Sequence, residues 1–234
     1  MVPPPAPSIT TEPSSQRRDI AGTVVMLDPG LSGGDVSHER VPNGRGGTTN
    51  CQAVSSTTDD GFPDHTFNWD TTLLLRQMLT QLGVRTAMTR GNDNKAAVCD
   101  DERARNANTL SVHPDAIVTI GAYSGPPAQR GFVVTYSDPP LNDAQKGPAL
   151  QLARTMQRLL TQAGLEAASQ GGVIDGLAAR SDLALLNLAE YPAIQVELGN
   201  VHNAEDAAMM STPSGRQQYA DALARGIAAY LSSR

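Results

Sequence analysis

Three short apolar runs in this chain end in residues placed to do chemistry at one edge of a sheet. Thr23–Asp28 leads into Asp28-Pro29-Gly30-Leu31-Ser32-Gly33-Gly34; Ala116–Ala122 ends in Thr119-Ile120-Gly121-Ala122; Ala193–Asn200 ends in Val196-Glu197-Leu198-Gly199-Asn200. Glu197 stands at a strand end, and open α/β sheets bind ligands at the carboxyl ends of their strands. A carboxylate there can work on a ligand, or it can simply be held by neighbouring backbone N–H groups; both readings stay open. The chain has four histidines, His38, His65, His113 and His202. His38 lies in a Gly/Asn/Ser-rich loop, His113 at a strand entry and His202 in the loop after Glu197, where solvated histidines are the plain expectation. Arg180-Ser181-Asp182-Leu183 follows a Gly-rich turn, and Arg180 fits a ligand contact or a surface ion pair equally well. Arg103 and Asn108 lie five apart on one helix and are expected to serve as a salt bridge or cap.

The elements that must hold these residues are legible from periodicity. Gly22–Asp28 is an apolar run stopped by Pro29-Gly30, as a buried strand would be. Phe67, Leu74, Leu75, Met78 and Leu82 recur at helical spacing over Thr66–Leu82, and Gly83 supplies the stop. Strands are expected at Val84–Thr89, Ala116–Ala122, Gly131–Tyr136 and Ala193–Glu197. Helices are expected at Glu102–Leu110, Ala149–Ala163 and from a Ser214 cap through the stripe Tyr219, Leu223, Ile227 and Tyr230 or Leu231. The run Leu31–Asp64 shows no periodicity, and a structureless loop of that length is generally functional or mobile. Alternation of strand and helix predicts one α/β domain with a central, mainly parallel, mixed sheet flanked by helices on both faces. That domain is expected over 20–234, behind a disordered leader at 1–19 whose first fifteen residues are rich in Pro, Ser and Thr and lack the charged and apolar regions of a signal peptide.

Composition narrows the partners. The 234 residues are 39% hydrophobic and only 4% aromatic, so the core must be Leu, Val, Ile and Ala. A formal charge of −6 argues against nucleic acid, which selects basic surfaces. No apolar run approaches the roughly 18 residues of a membrane span. Cys51 and Cys99 both lie in Gly/Asn/Asp-rich loops, off any apolar periodic face. Two free thiols and one disulfide are both compatible with that count.

From about Gly22 to Leu231 the chain resembles the zinc-dependent N-acetylmuramoyl-L-alanine amidases of the amidase_3 family, which cut peptide stems from peptidoglycan. It looks like the short, single-domain, secreted mycobacterial type. The resemblance is carried by Asp28-Pro29-Gly30; Thr89-Arg90 with Asp93; Arg103 with Ala107-Asn108; Gly131-Phe132 ahead of Tyr136; and Arg180–Asn200 with Asn203 and Asp206. It implies a zinc-exopeptidase-like fold, and it makes Glu197 the family's general-base position. It also places zinc-binding histidines where this chain has Leu31 and Gly121, and a glutamate ligand where it has Asp70. Leucine and glycine carry no donor, so no metal cofactor is expected here, although active members use zinc. His65 has a counterpart in active members and is no replacement ligand.

The resemblance further implies a Cys51–Cys99 disulfide, worth about 4 kcal/mol by chain-entropy reasoning, and an extracytoplasmic location. Two functions from different classes follow. One is a catalytically degenerate amidase fold, expected to be a monomer, that binds peptidoglycan, a muropeptide or a cell-wall protein, with Arg180 touching the acidic stem peptide. The other is an active amidase that hydrolyses the muramoyl–L-alanine amide with a metal site rebuilt from His38, Asp70 and His202.

Overall fold

The computed structural model describes residues 19–234 except 35, 37, 38 and 94–96. The expected leader, apart from Asp19, and His38 lie outside the described residues. Six strands form the main sheet: β1 (Val24–Pro29), β4 (Arg85–Met88), β5 (Ala116–Tyr123), β6 (Val133–Ser137), β7 (Leu177–Arg180) and β8 (Ala193–Asn200). Their order is β4-β1-β5-β8-β6-β7. The β4, β1, β5 and β8 neighbours are parallel, β6 runs antiparallel to β8, and β7 runs parallel to β6. The mixed sheet is thus as expected, with the direction change where β6 follows β5 without an intervening helix.

Period two sorts the strand residues between two layers. Val25, Leu27, Val118, Ile120, Ile194 and Val196 join the larger core. It packs beneath α1 (Asp64–Gln81), α3 (Leu150–Gln162) and α6 (Pro213–Leu231). Met26, Ile117 and Ala193 face the other way, towards Ala104 and Ala107 of α2 (Asp100–Asn108) and Leu185 and Leu186 of α4 (Ala184–Leu188). All six β1 residues are buried because helices cover both faces, which is why the central strands read as continuous apolar runs.

Some expected boundaries move. α1 begins at Asp64, two residues before Thr66, with Pro63 at its N-cap. The final helix is capped by Thr212, whose hydroxyl accepts from the Gly215 N–H, with Pro213 in the first turn. Ser214 lies inside the helix instead; Thr212-Pro213 wins because proline's fixed φ suits the first helical position. The long run after β1 contains an antiparallel hairpin, β2 (Arg40–Pro42) with β3 (Thr48–Asn50). α4, β7 and α5 (Ala204–Ser211) are further elements that periodicity did not reveal.

Candidate functional site

Alternation continues past the core to the carboxyl ends of the strands and builds one wall of a cavity there. Asp28 shares the face of Met26, Thr119 and Gly121 share that of Ile117, and Gln195 and Glu197 share that of Ala193. Register aligns them in rows: Asp28 pairs with Thr119, Thr119 with Gln195, and Gly121 with Glu197. The cavity, of about 320 Å³, is lined by these residues together with Leu31, Asp64, Asn68, Asp100, Tyr123 and others.

Behind the cavity Asp28 is fixed by a buried network. Arg103 Nη1 donates to its Oδ1 at 2.7 Å and to the Pro29 carbonyl at 2.9 Å, and the Thr89 hydroxyl donates to the same carboxylate. Both ionic side chains are essentially inaccessible, at 0% and 1% exposure. Gly30 follows because a Cβ there would sit 2.9 Å from the Ile120 carbonyl, the acceptor of its own N–H. The chain then enters the left-handed region at Leu31, φ 60°, an uncommon state for a residue with a Cβ. Gly121 is different: a Cβ there would meet only Glu197 Cγ at 3.8 Å and the Val196 carbonyl at 4.0 Å. Neither its φ nor its surroundings demand glycine.

Leu31, Gly121 and Glu197 therefore converge as expected, but Asp70 does not. Its carboxylate lies 3.6 Å from Arg216 of α6 and is 39% exposed. The residue of α1 that enters the cavity is Asp64, with Asn68 one turn later. The reason is helical phase. Positions four apart share a face, whereas Asp70, six after Asp64, is rotated by about 240°. Asp64-x-x-x-Asn68 directly after Pro63 was the legible signal that sequence reasoning passed over.

Asp64 is tethered to the segment crossing the cavity mouth. Ser55 Oγ donates to it at 2.5 Å and the Ser56 N–H at 2.7 Å. Burial nonetheless pushes its pKa up, against those hydrogen bonds. Burial likewise raises Glu197, opposed by Arg180 and by a hydrogen bond from Gln195. Asp100 is pushed up to about 7 by burial, with Arg103 pulling the other way. Tyr123 is raised to about 12, again mainly by burial.

The remaining candidates take structural places. Arg180 forms a two-point pair with Asp182, at 2.8 and 2.5 Å. Asn108 bonds the Leu188 carbonyl and the Glu190 N–H, tying α2 to the end of α4. His65 Nδ1 lies 2.9 Å from Asp93, which Arg90 also holds at 3.0 Å. His113 packs on Tyr191, ring centroids 5.0 Å apart, and His202 sits 3.3 Å from exposed Asp59. None of these three histidines is among the described residues lining the cavity. Cys51 and Cys99 are joined, closing 48 residues of sequence separation. The bridge places the start of α2 under the mouth segment, where the Asp100 N–H donates to the Cys51 carbonyl at 2.8 Å.

Comparison with known proteins adds to this geometry. The amidase_3 profile, described as N-acetylmuramoyl-L-alanine amidase, matches residues 25–229. The chain is 52% identical over 231 residues to N-acetylmuramoyl-L-alanine amidase Rv3717 of Mycobacterium tuberculosis, covering 98% of this chain and 95% of that one. The crystal structure of the N-acetylmuramyl-L-alanine amidase Ami1 from Mycobacterium smegmatis superposes with a TM-score of 0.88 at 54% identity, covering 92% and 99% of the two chains. AmiC2 of Nostoc punctiforme, at 23% identity and a TM-score of 0.67 over 92% and 99%, is alike in fold.

Proposed function

The chain belongs to the N-acetylmuramoyl-L-alanine amidase (amidase_3) family, and from that premise we propose that it binds peptide-bearing peptidoglycan without cleaving it through a zinc-bound water. The observation that carries this reading is the donor set of the cavity. Leu31 and Gly121 offer no ligand atom, and no histidine is among the described residues that line the cavity. Catalytic zinc needs three protein donors and an open position, and in such sites histidine supplies at least one. The residues present do not fit that ion, so no hydrolytic step is assigned to Glu197. Its place at the cavity wall suits contact with a bound ligand, as does the recess itself.

The wall setting is part of the proposal. Family membership and a disulfide that closes a long loop both favour action outside the cytoplasm. No helix among the described residues is long and apolar enough to cross a membrane. The binding domain is taken to span 20–234.

The test joins three measurements on the purified chain: zinc content, release of peptide from a muramyl-peptide substrate, and co-sedimentation with insoluble peptidoglycan. Substoichiometric zinc, no release and retention on the pellet are expected. Stoichiometric zinc with chelator-sensitive release would overturn the reading. The complementary gain is Leu31→His, Asp64→Glu and Gly121→His made together. Histidine is among the residues enriched in the left-handed region, and a Cβ at Gly121 has room. Zinc uptake should appear in the triple variant and not in any single one, because a partial donor set lacks the geometry.

A further inference from the structure

The cavity is rich in anionic acceptors, and the donors on its lining, those of Thr119, Tyr123, Ser124 and Gln195, are neutral. Asp64, Asp100 and Glu197 project into it from three different elements, α1, the start of α2 and β8. No lysine, arginine or histidine is among the described residues that line it. The nearby cations are committed elsewhere: Arg103 pairs with Asp28 at 2.7 Å from behind the wall, and Arg180 with Asp182 at its edge.

A second, independent feature points the same way. Asn68 is fully buried, lines the cavity, and its Oδ1 has no hydrogen-bond partner. Its amide orientation is fixed, since Nδ2 donates to the Gly30 carbonyl at 2.7 Å. The atom left over is an acceptor. The buried Thr119 hydroxyl, also on the lining, is unpartnered as well. Buried polar atoms are nearly always satisfied, and one left open in a recess marks where a ligand group bonds.

A bare metal ion is the poorer match to this arrangement. The one described group of three His, Cys, Asp or Glu donors close enough to share an ion is Glu39 with Cys51 and Cys99, none of which lines the cavity, and its cysteines are bonded to each other. Asp64, Asp100 and Glu197 do not form such a group of three. An alkylammonium needs one acceptor for each of its three N–H groups, and two carboxylates with one neutral amide oxygen meet that need. The apolar lining of Leu31, Ala53, Val54, Leu183 and Leu185 suits the methylenes that would lead to it.

We propose that this cavity binds the primary ammonium of an aminoalkyl side chain, such as that of a diamino acid in a wall peptide, between Asp64, Glu197 and Asn68. The proposal rests on the binding role stated above and names its chemical class. The test titrates the full chain, by calorimetry, with the tripeptide N-acetyl-L-Ala-γ-D-Glu-L-Lys, whose only ammonium is the lysine ε-amine, and with the same peptide also Nε-acetylated, which removes that charge. At least tenfold tighter binding of the free amine is expected. That preference should vanish in the Asp64→Asn, Glu197→Gln double variant, with Glu197→Gln alone as the control if the double variant melts early. Equal affinities, absence of binding by either peptide, or a preference that survives in the variants would overturn it. So would tight binding of Zn²⁺, Mg²⁺ or Ca²⁺ alone that the double variant abolishes. Retention on insoluble peptidoglycan alongside equal tripeptide affinities would leave the wall-binding role standing and remove the ammonium alone.

Discussion

Two neighbouring regions at the carboxyl edge of the sheet are built in opposite ways. Behind β1, Asp28, Arg103, Thr89 and the Pro29 carbonyl close on one another, and the ion pair is shut away from water. In front of β1, a few residues on, Asn68 Oδ1 and Thr119 Oγ1 are open and three carboxylates have protonation raised by burial. The first region is a folding device: its ion pair is answered within the chain, and of its polar atoms Arg103 Nη2 is left without a partner. The second leaves Asn68 Oδ1 and Thr119 Oγ1 unanswered, and the proposed ligand would meet them. The contrast separates what the family scaffold needs in order to fold from what it needs in order to act, and each is open to its own perturbation.

The largest effect is expected in the closed region. Arg103→Met removes one partner of a buried pair and strands Asp28, a change of about 3–5 kcal/mol. For a domain of this size that lowers the melting temperature by roughly 6–20 °C. Thermal denaturation of the variant checks it. A loss near 1 kcal/mol would mean that Asp28 is rescued by water or by protonation, and the network would lose its standing as the folding device.

Next is the bridge that links the two regions. Cys51→Ser with Cys99→Ser frees the mouth segment from α2 and should cost roughly 2–4 kcal/mol through the unfolded chain. Thiol titration of the denatured, unreduced wild type should find no free cysteine. Urea unfolding of the two forms at matched pH gives the difference.

A smaller effect belongs to Asp100, which touches both regions. Its pKa, raised to about 7, means that the folded state holds a proton which the unfolded chain releases near its ordinary value of 3.8. Its contribution to stability is therefore full below about pH 4 and is lost as pH rises towards 7. Asp100→Asn should match wild type near pH 4 and exceed it above pH 7. The side chain is 30% exposed, so the gain is discounted to about 1–2 kcal/mol. Melting temperatures at pH 4.5 and 8 decide it; an advantage that is greater at the acid end would reverse the assigned sign.

How far the sequence disclosed these regions follows from what each depends on. Strands such as Val24–Pro29 announce themselves because burial on both faces requires continuous apolar residues. The Asp28–Arg103 pairing was legible only as a generic helix salt bridge, since its partner lies 75 residues away. Of the four positions that the family resemblance implied, Leu31, Gly121 and Glu197 lie on the cavity, two of them on strands whose period of two fixes their face. Asp70, matched by resemblance to a glutamate ligand, lies off the cavity because it is six residues from Asp64, and the carboxylate that shares a face with Asn68 is that of Asp64. The β2–β3 hairpin, with strands of three residues each, was invisible because it is too short to show a period.

The smallest effect tests whether the open region keeps its shape without a ligand. Leu31 holds φ 60°, which costs a residue with a Cβ about 1–2 kcal/mol. Leu31→Asn relieves most of that cost, because asparagine visits the left-handed region routinely, but it gives up the partial burial of the leucine, about 1 kcal/mol. The two terms nearly cancel, so a net change within about 0.5 kcal/mol is expected. Leu31→Val keeps an apolar side chain yet branches at Cβ, which makes the same φ a true outlier. It should destabilise by about 1–2 kcal/mol relative to Leu31→Asn. Chemical denaturation of the two variants side by side gives the order directly. If valine proved as stable as asparagine, the backbone at this corner would be free to leave the left-handed region. The cavity would then hold no fixed geometry at Leu31, and the donor restoration at that position would have no preformed place to build on.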